Sequence, residues 1–153
     1  AMSDLVVVMN KGRIEQMGAP AEVYEQPRSE FVASFLGNAN FLPANVQQVT
    51  DEGIIVEMAG GERLLVGDAA RPVAAGEPVR VVVRAEKIVI ADAQAAGLQA
   101  RVVDVDYLGS MARYQMELRG GERMLSLVSL KDRALDLGEA VALQIEPRHC
   151  RIL

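Results

Sequence analysis

Apolar positions at the start of the chain follow a strand pattern. Residues 5–9 (Leu-Val-Val-Val-Met) form a continuous apolar run, which predicts a buried strand. A turn signal follows in Asn10-Lys11-Gly12, and residues 13–17 then alternate between polar and apolar side chains. The segment therefore predicts a β-hairpin.

A helical pattern comes next. Pro20 suits the first turn of a short helix over residues 21–26. Ser29 is a candidate N-cap for a second helix over residues 30–36, which Gly37 would end.

Beyond residue 40 the pattern changes to short apolar alternations separated by Gly, Asp and Pro, which is typical of an all-β sandwich or barrel. A helical turn is predicted at residues 131–137. The predicted strands are Phe41–Val49, Gly53–Met58, Arg63–Val66, Pro78–Arg84 and Ile88–Ala91, then Leu98–Tyr107, Arg113–Leu118, Arg123–Val128, Ala140–Glu146 and Cys150–Leu153.

The second set of strands repeats the first. Three motifs recur in the same order: Ala44-x-Val46-x-x-Val49 as Ala100-x-Val102-x-x-Val105, Gly60-Gly61-Glu62-Arg63 as Gly120-Gly121-Glu122-Arg123, and Gly76-Glu77-Pro78-Val79 as Gly138-Glu139-Ala140-Val141. We therefore expect a mainly β fold with two homologous five-stranded units, 41–91 and 98–153. Each would be of the oligonucleotide/oligosaccharide-binding (OB) type, and the two would pack together because neither is large enough to be stable alone.

Composition narrows the class of protein. Half of the 153 residues are hydrophobic and the net charge is −5, a globular and acidic balance that argues against nucleic acid as a partner. One cysteine excludes an internal disulfide, and no apolar run approaches the roughly 20 residues of a membrane span. We expect a cytoplasmic location, and the abrupt start in an apolar strand predicts a piece of a larger protein.

The sequence offers no catalytic, metal or cofactor site. It has no Gly-x-x-x-x-Gly-Lys-Ser/Thr phosphate loop and no Gly-x-Gly-x-x-Gly motif. His149 and Cys150 are neighbours, but adjacent strand residues point to opposite faces, so they do not form a metal pair. We expect Cys150 in the core and His149 at the surface.

Candidate interface or ligand contacts lie in two places. Arg84-Ala85-Glu86 is a charged break between apolar strands, either a polar turn or a contact between lobes or subunits.

Around a later hairpin, Tyr107 and Tyr114 meet beside Arg113. Such a group either binds a ligand or fixes the hairpin by cross-strand packing. Asp104 and Asp106 nearby share a strand face, which we interpret as solvated.

The first 42 residues resemble the ATP-binding subunits of bacterial ABC importers. Residues 3–16 are similar to the segment after the family's switch histidine. Further matches are Gly18-Ala19-Pro20-Ala21-Glu22-Val23-Tyr24-Glu25-Gln26-Pro27, Phe31-Val32-Ala33-Ser34-Phe35-Leu36-Gly37 and Asn40-Phe41-Leu42.

The remainder resembles the TOBE regulatory domain of the same subunits. Arg84-Ala85-Glu86 stands where the family often has Arg-Pro-Glu, and Tyr107-Leu108-Gly109 with Tyr114 matches polyamine and ferric-iron importers. The resemblance implies that residues 1–40 end a nucleotide-binding domain and that 41–153 form the TOBE domain.

The same resemblance implies a set of partners. These are a second copy in a homodimer, the upstream nucleotide-binding domain, the importer's membrane subunits and, in some members, a small effector. ATP and Mg would belong to the parent ATPase, at the cytoplasmic face of the inner membrane. This chain would bind neither. The solute implied is a polyamine, with ferric iron, phosphonate or sugar as alternatives.

A different class of function stays open: a stand-alone OB-like module that binds a polyamine, an oxyanion or a metal. The acidic balance mildly favours a cationic ligand. Single-strand nucleic-acid binding is disfavoured by the charge.

Overall fold

The computed structural model describes residues 4–131 and 134–153 and begins with the predicted hairpin. Strand β1 (Val6–Asn10) pairs antiparallel with β2 (Arg13–Gly18). A bulge after Val8 shifts the register, so that Val7 pairs with Met17 but Met9 pairs with Ile14. The bulge brings these four apolar side chains to one face of the hairpin.

Two short helices cover the other face. Helix α1 (Pro20–Glu25) and helix α2 (Glu30–Phe35) follow β2, and Ser29 Oγ accepts a hydrogen bond from Val32 N at 3.3 Å, which confirms the predicted N-cap.

The hairpin packs on these helices. Val8, Val23 and Val32 are fully buried together. Within this chain β1 therefore buries one face only, and the helices, not the β lobes, cover that face.

The strands beyond residue 38 form two curled sheets, which we call the first and second lobes. The first lobe has the order β5-β4-β3-β7-β13-β6. Its strands are β3 (Ala39–Thr50), β4 (Gly53–Met58), β5 (Arg63–Val66), β6 (Asp68–Ala69), β7 (Pro78–Arg84) and β13 (Cys150–Ile152).

The second lobe has the order β11-β10-β9-β12-β8. Its strands are β8 (Val89–Asp92), β9 (Leu98–Leu108), β10 (Met111–Leu118), β11 (Arg123–Ser129) and β12 (Ala140–Gln144). The helical turn predicted at residues 131–137 lies partly outside the described residues, and residues 134–136 are not helical.

The two lobes exchange their last strands. Strand β8 belongs to the first repeat in sequence, yet it pairs with β12 in the second lobe. Strand β13 ends the second repeat, yet it pairs with β7 in the first lobe. The sequence repeat does not predict this exchange. It makes one core of both lobes, with buried residues such as Leu42, Val81, Tyr114 and Leu143 in a single cluster.

Positions that align in the two predicted repeats make equivalent backbone hydrogen bonds. Val46 N donates to Glu77 O at 2.9 Å, and Val102 N donates to Glu139 O at 3.0 Å. Gly76 N donates to Val46 O at 2.7 Å, as Gly138 N does to Val102 O at 2.8 Å.

The repeated Gly-Gly turns touch each other between the lobes. A Cβ on Gly60 would lie 2.7 Å from Gly120 N, and a Cβ on Gly120 would lie 2.6 Å from Gly60 N. Both distances are shorter than real Cβ contacts, so the approach of the two turns requires glycine in each repeat.

Two equivalent glutamates in these turns differ in their partners. Glu62 Oε2 accepts a hydrogen bond from Gln99 N at 2.9 Å. Both carboxylate oxygens of Glu122 are buried without a hydrogen-bond partner in residues 4–131 and 134–153. Since Ala44 aligns with Ala100, the residue equivalent to Gln99 is Pro43, which has no N–H to donate.

The same substitution at these two positions should therefore have opposite effects. Glu62→Met would leave Gln99 N without an acceptor and is expected to lower the free energy of unfolding by about 1–3 kcal/mol. Glu122→Met would remove an unpaired buried carboxylate and is expected to raise it by about 1 kcal/mol. Urea unfolding followed by circular dichroism measures both, and changes of equal sign would contradict the asymmetry.

Candidate functional site

Arg84 fastens the helical segment to the first lobe. It ends β7 and is 7% exposed. Its guanidinium donates hydrogen bonds from Nη1 to Ala33 O and from Nη2 to Tyr24 O (3.0 Å), and it stacks 4.4 Å from the centre of the Tyr24 ring. Desolvation on burial lowers the pKa of Arg84. The contact is thus made between segments of one chain.

The residues after Arg84 continue as a 3-10 turn at Ala85–Lys87. Glu86 is exposed there, at the mouth of a groove of about 590 Å³ next to β8 and β12. The groove has an apolar floor that includes Ile88, Tyr114 and Leu135, and it carries the carboxylates of Glu86, Asp92 and Glu139.

The predicted group of Tyr107, Arg113 and Tyr114 is not brought together. Tyr107 is 60% exposed, whereas Tyr114 is 1% exposed and accepts a hydrogen bond at its hydroxyl from Leu135 N at 3.0 Å. Arg113 forms an ion pair with Asp106 at 2.8 Å. Tyr107 lies near the end of β9, outside the core, while the neighbouring positions of β10 alternate between the two faces.

The face beside Arg113 is polar, as expected. Asp104 and Asp106 are both exposed, and the half-buried Gln115 lies next to them at the same shallow site. The interpretation as a solvated strand face is confirmed.

Cys150 lies in the core, which confirms its predicted place. It is 1% exposed, and desolvation raises the pKa of its thiol to about 12. His149 belongs to a 3-10 turn at Pro147–His149 and is half-buried. No group of three or more His, Cys, Asp and Glu in the described residues could hold a metal ion.

Asn40 is a structural residue that the sequence analysis missed. Its Nδ2 donates to Leu125 O at 2.9 Å and to Val83 O at 3.3 Å, and its Oδ1 accepts from Leu125 N at 2.7 Å. The side chain thus pairs with β11 as a strand backbone would and joins the two lobes. A signal was available, because Asn40 has the same strand parity as the buried Leu42, Ala44 and Val46.

A second feature missed from the sequence is a cleft of about 200 Å³ between α1 and the first lobe. Its residues are far apart in the chain, which hides the site from motif analysis. They include Tyr24, Arg84, Lys87, Arg148, His149 and Arg151.

The open side of the hairpin is apolar. Val7, Met9, Ile14 and Met17 are between 43% and 57% exposed. We call these four residues the hairpin face. On helix α2, the rings of Phe31 and Phe35 stack with their centres 6.2 Å apart, and both are exposed. Exposed apolar surface of this kind is typical of a contact with another domain or chain.

Comparison with known families decides the class. Residues 81–153, which include most of β7, the whole second lobe and the exchanged β13, match the model of the TOBE domain. The chain carries a TOBE domain.

Relatives extend the match to the segment before the TOBE domain. The chain is 40% identical to the spermidine/putrescine import ATP-binding protein PotA of Rubrobacter xylanophilus, over 99% of this chain and 41% of that protein. It is 41% identical to the sulfate/thiosulfate import ATP-binding protein CysA 1 of Chromobacterium violaceum, over 77% of this chain and 30% of that protein. The TOBE-domain chain thus spans about two fifths or less of the length of these relatives, at their C-terminal part.

A solved structure supports the fold. The TOBE-domain chain is similar to the cytoplasmic molybdate-binding protein ModG with a TM-score of 0.63 and 19% identity, over 72% of this chain and 92% of that one. The predicted mainly β, OB-like architecture is confirmed. No helix in the described part of the chain is long and apolar enough to cross a bilayer.

Proposed function

We propose that this chain is the regulatory and dimerisation domain of the ATP-binding subunit of a bacterial ABC importer. Its similarity to PotA of R. xylanophilus over 99% of the chain supports this role. In this proposal residues 1–40 end the nucleotide-binding domain and residues 41–153 form the regulatory part.

The observation that carries the proposal is the exposed hairpin face. A strand face made of Val, Met and Ile is unfavourable in water, because its apolar surface stays in contact with solvent. Covering that surface with another domain would stabilise the protein. The hairpin precedes the TOBE domain, so an upstream ATPase domain would be covalently attached beside it and could cover it. That domain would bind ATP and Mg.

The partners follow from the same role. A second copy of the subunit would pair with this one, and membrane subunits would use the ATPase cycle for uptake at the cytoplasmic face of the inner membrane. Polyamine is the proposed solute, because PotA of R. xylanophilus is named for spermidine and putrescine import. The similarity to CysA 1 supports sulfate as the competing solute.

Uptake assays test the role and the solute together. In cells that depend on the gene for this chain, we expect Val7→Glu to lower spermidine uptake about tenfold, because a buried carboxylate at the hairpin face would weaken the domain contact. Val49→Glu is the matched control, since Val49 is an exposed strand valine of the first lobe. Equal uptake by both variants would contradict the covered face, and uptake of labelled sulfate without spermidine would contradict the solute.

The groove favours a second candidate, a stand-alone module for a cationic aliphatic ligand. Its apolar floor would hold methylene groups, and the carboxylates of Glu86, Asp92 and Glu139 would attract ammonium groups. Calorimetric titration of the isolated chain with spermidine separates the two candidates. A saturable binding heat that disappears in Glu86→Gln supports the stand-alone module. If the wild-type chain gives no such heat, the module is contradicted and the importer role is the remaining candidate.

A further inference from the structure

The cleft beside Arg84 is the strongest unassigned site. Helix α1 lies on one side of it, and the two 3-10 turns and β13 lie on the other. It holds about 200 Å³, which is enough for an ion of phosphate's size. Its floor is neutral, with Val82 and Cys150.

The cleft contains a buried cation with no counterion. Arg84 has two carbonyls and an aromatic ring as its partners, and no carboxylate pairs with it in residues 4–131 and 134–153. A guanidinium carries five N–H donors, and these two hydrogen bonds leave donors unused. Buried charges are normally paired. An anion bound here would therefore offset the desolvation free energy of the buried guanidinium and stabilise the folded chain.

Other cations surround Arg84. Lys87 lines the cleft and has no ion-pair partner in the part of the chain that the structure describes. Arg151 pairs with Asp68, and Arg148 with Glu146 at 2.6 Å. These pairs leave Arg84 without a carboxylate partner in the described residues, while Lys87 interacts with the Glu146 carboxylate through their charges and forms no ion pair with it.

The remaining groups at the cleft do not cancel that charge. Glu25 lines the cleft but is exposed and forms no ion pair with Arg84 in residues 4–131 and 134–153, and the imidazole of His149 lines the cleft as well. The site is cationic although the whole chain carries a net charge of −5. A local field of opposite sign to the protein is a feature of anion sites.

We propose that this cleft binds a small oxyanion with the size and charge of phosphate, held by Arg84 and Lys87 between helix α1 and the first lobe. Arg84 supplies the planar donors that suit an oxyanion, and Lys87 supplies a mobile point charge. The bound ion would lie at the junction between the helical segment and the lobe, beside the Arg84 guanidinium that joins them. The inference does not depend on the importer role, since the site lies wholly within this chain.

Titration of the whole chain with inorganic phosphate tests the site, with chloride at equal ionic strength as the reference. We expect phosphate, and not chloride, to raise the thermal unfolding midpoint. Lys87→Gln should weaken phosphate binding about tenfold, as loss of one charge-assisted contact predicts. Arg13→Gln is the control with the same change of net charge, because Arg13 is the first residue of β2 and does not line the cleft.

A second measurement locates the ion. Backbone amide shifts in nuclear magnetic resonance should respond to phosphate at residues 24–27, 84–87 and 147–151. Parallel titrations with sulfate and with a phosphate monoester distinguish a free ion from an esterified one. Equal effects of phosphate and chloride, equal affinities of Lys87→Gln and Arg13→Gln, or shifts centred elsewhere would each overturn the proposal.

Discussion

Replacing Asn40 with alanine is expected to lower the free energy of unfolding by about 2–4 kcal/mol. The Asn40 amide satisfies both backbone groups of Leu125, the N–H at 2.7 Å and the carbonyl at 2.9 Å. Without the amide, two backbone groups between the lobes lose their partners, and each buried unpaired group costs about 1–3 kcal/mol. Urea unfolding of the whole chain, followed by far-ultraviolet circular dichroism, measures the loss.

Asn45 supplies the control for this prediction. It lies in the same strand but its side chain is exposed, so Asn45→Ala should change the free energy of unfolding by no more than about 0.5 kcal/mol. Asn40→Asp is a sharper probe, because it keeps an acceptor for Leu125 N but loses the donor to Leu125 O. A loss in Asn40→Ala no greater than that in Asn45→Ala would show that the amide does not join the lobes.

Arg84→Ala is expected to release the helical segment while the lobes stay folded. The substitution leaves the carbonyls of Tyr24 and Ala33 without their donors and removes the cation stacked on the Tyr24 ring. We expect the docking of the segment to weaken by about 2–4 kcal/mol, since hydrogen bonds to charged groups are worth more than neutral ones. Hydrogen exchange should rise in residues 20–36 and stay slow in β3, because the core of the lobes does not include Arg84.

Arg80 is the matched arginine for that experiment. It lies in the same strand and also reaches α2, through an ion pair with Glu30 at 2.8 Å, but both side chains are about half exposed. Arg80→Ala should cost less than about 1 kcal/mol, as exposed ion pairs do. If exchange rises equally across helices and lobes in Arg84→Ala, the arginine supports the whole fold and not the junction.

Most of the strands could be predicted because turn residues mark their ends. Gly53–Met58, Arg63–Val66 and Pro78–Arg84 have the predicted bounds, since Gly or Pro stands at each start or within two residues of it. Strand β6 was not predicted, because a strand of two residues is too short to show an alternation of apolar and polar side chains. Periodicity also shows which face of a strand is buried, but not which neighbour it pairs with.

The pairing of β8 and β13 lies beyond that limit. Both strands are short and apolar, and either lobe could accept either one by its pattern alone. The separation of Tyr107 from Tyr114 could not be predicted for a related reason. Tyr107 and Tyr114 are close along the hairpin, but their burial is decided by where each strand leaves the core. Arg84 was found because a charge between apolar strands is visible in one sequence, whereas the cleft gathers residues from 24 to 151.

Because β8 and β13 are exchanged between the lobes, the molecule is arranged like a strand-swapped dimer whose two subunits are joined into one polypeptide. A chain with a single repeat would carry a closing strand that its own sheet does not use and would lack the one it needs. Two such half-length chains would satisfy each other, as partners in a domain-swapped dimer do. When the halves are fused, the association of two chains is replaced by the closure of a loop within one chain. Pairing of the exchanged strands then no longer depends on protein concentration.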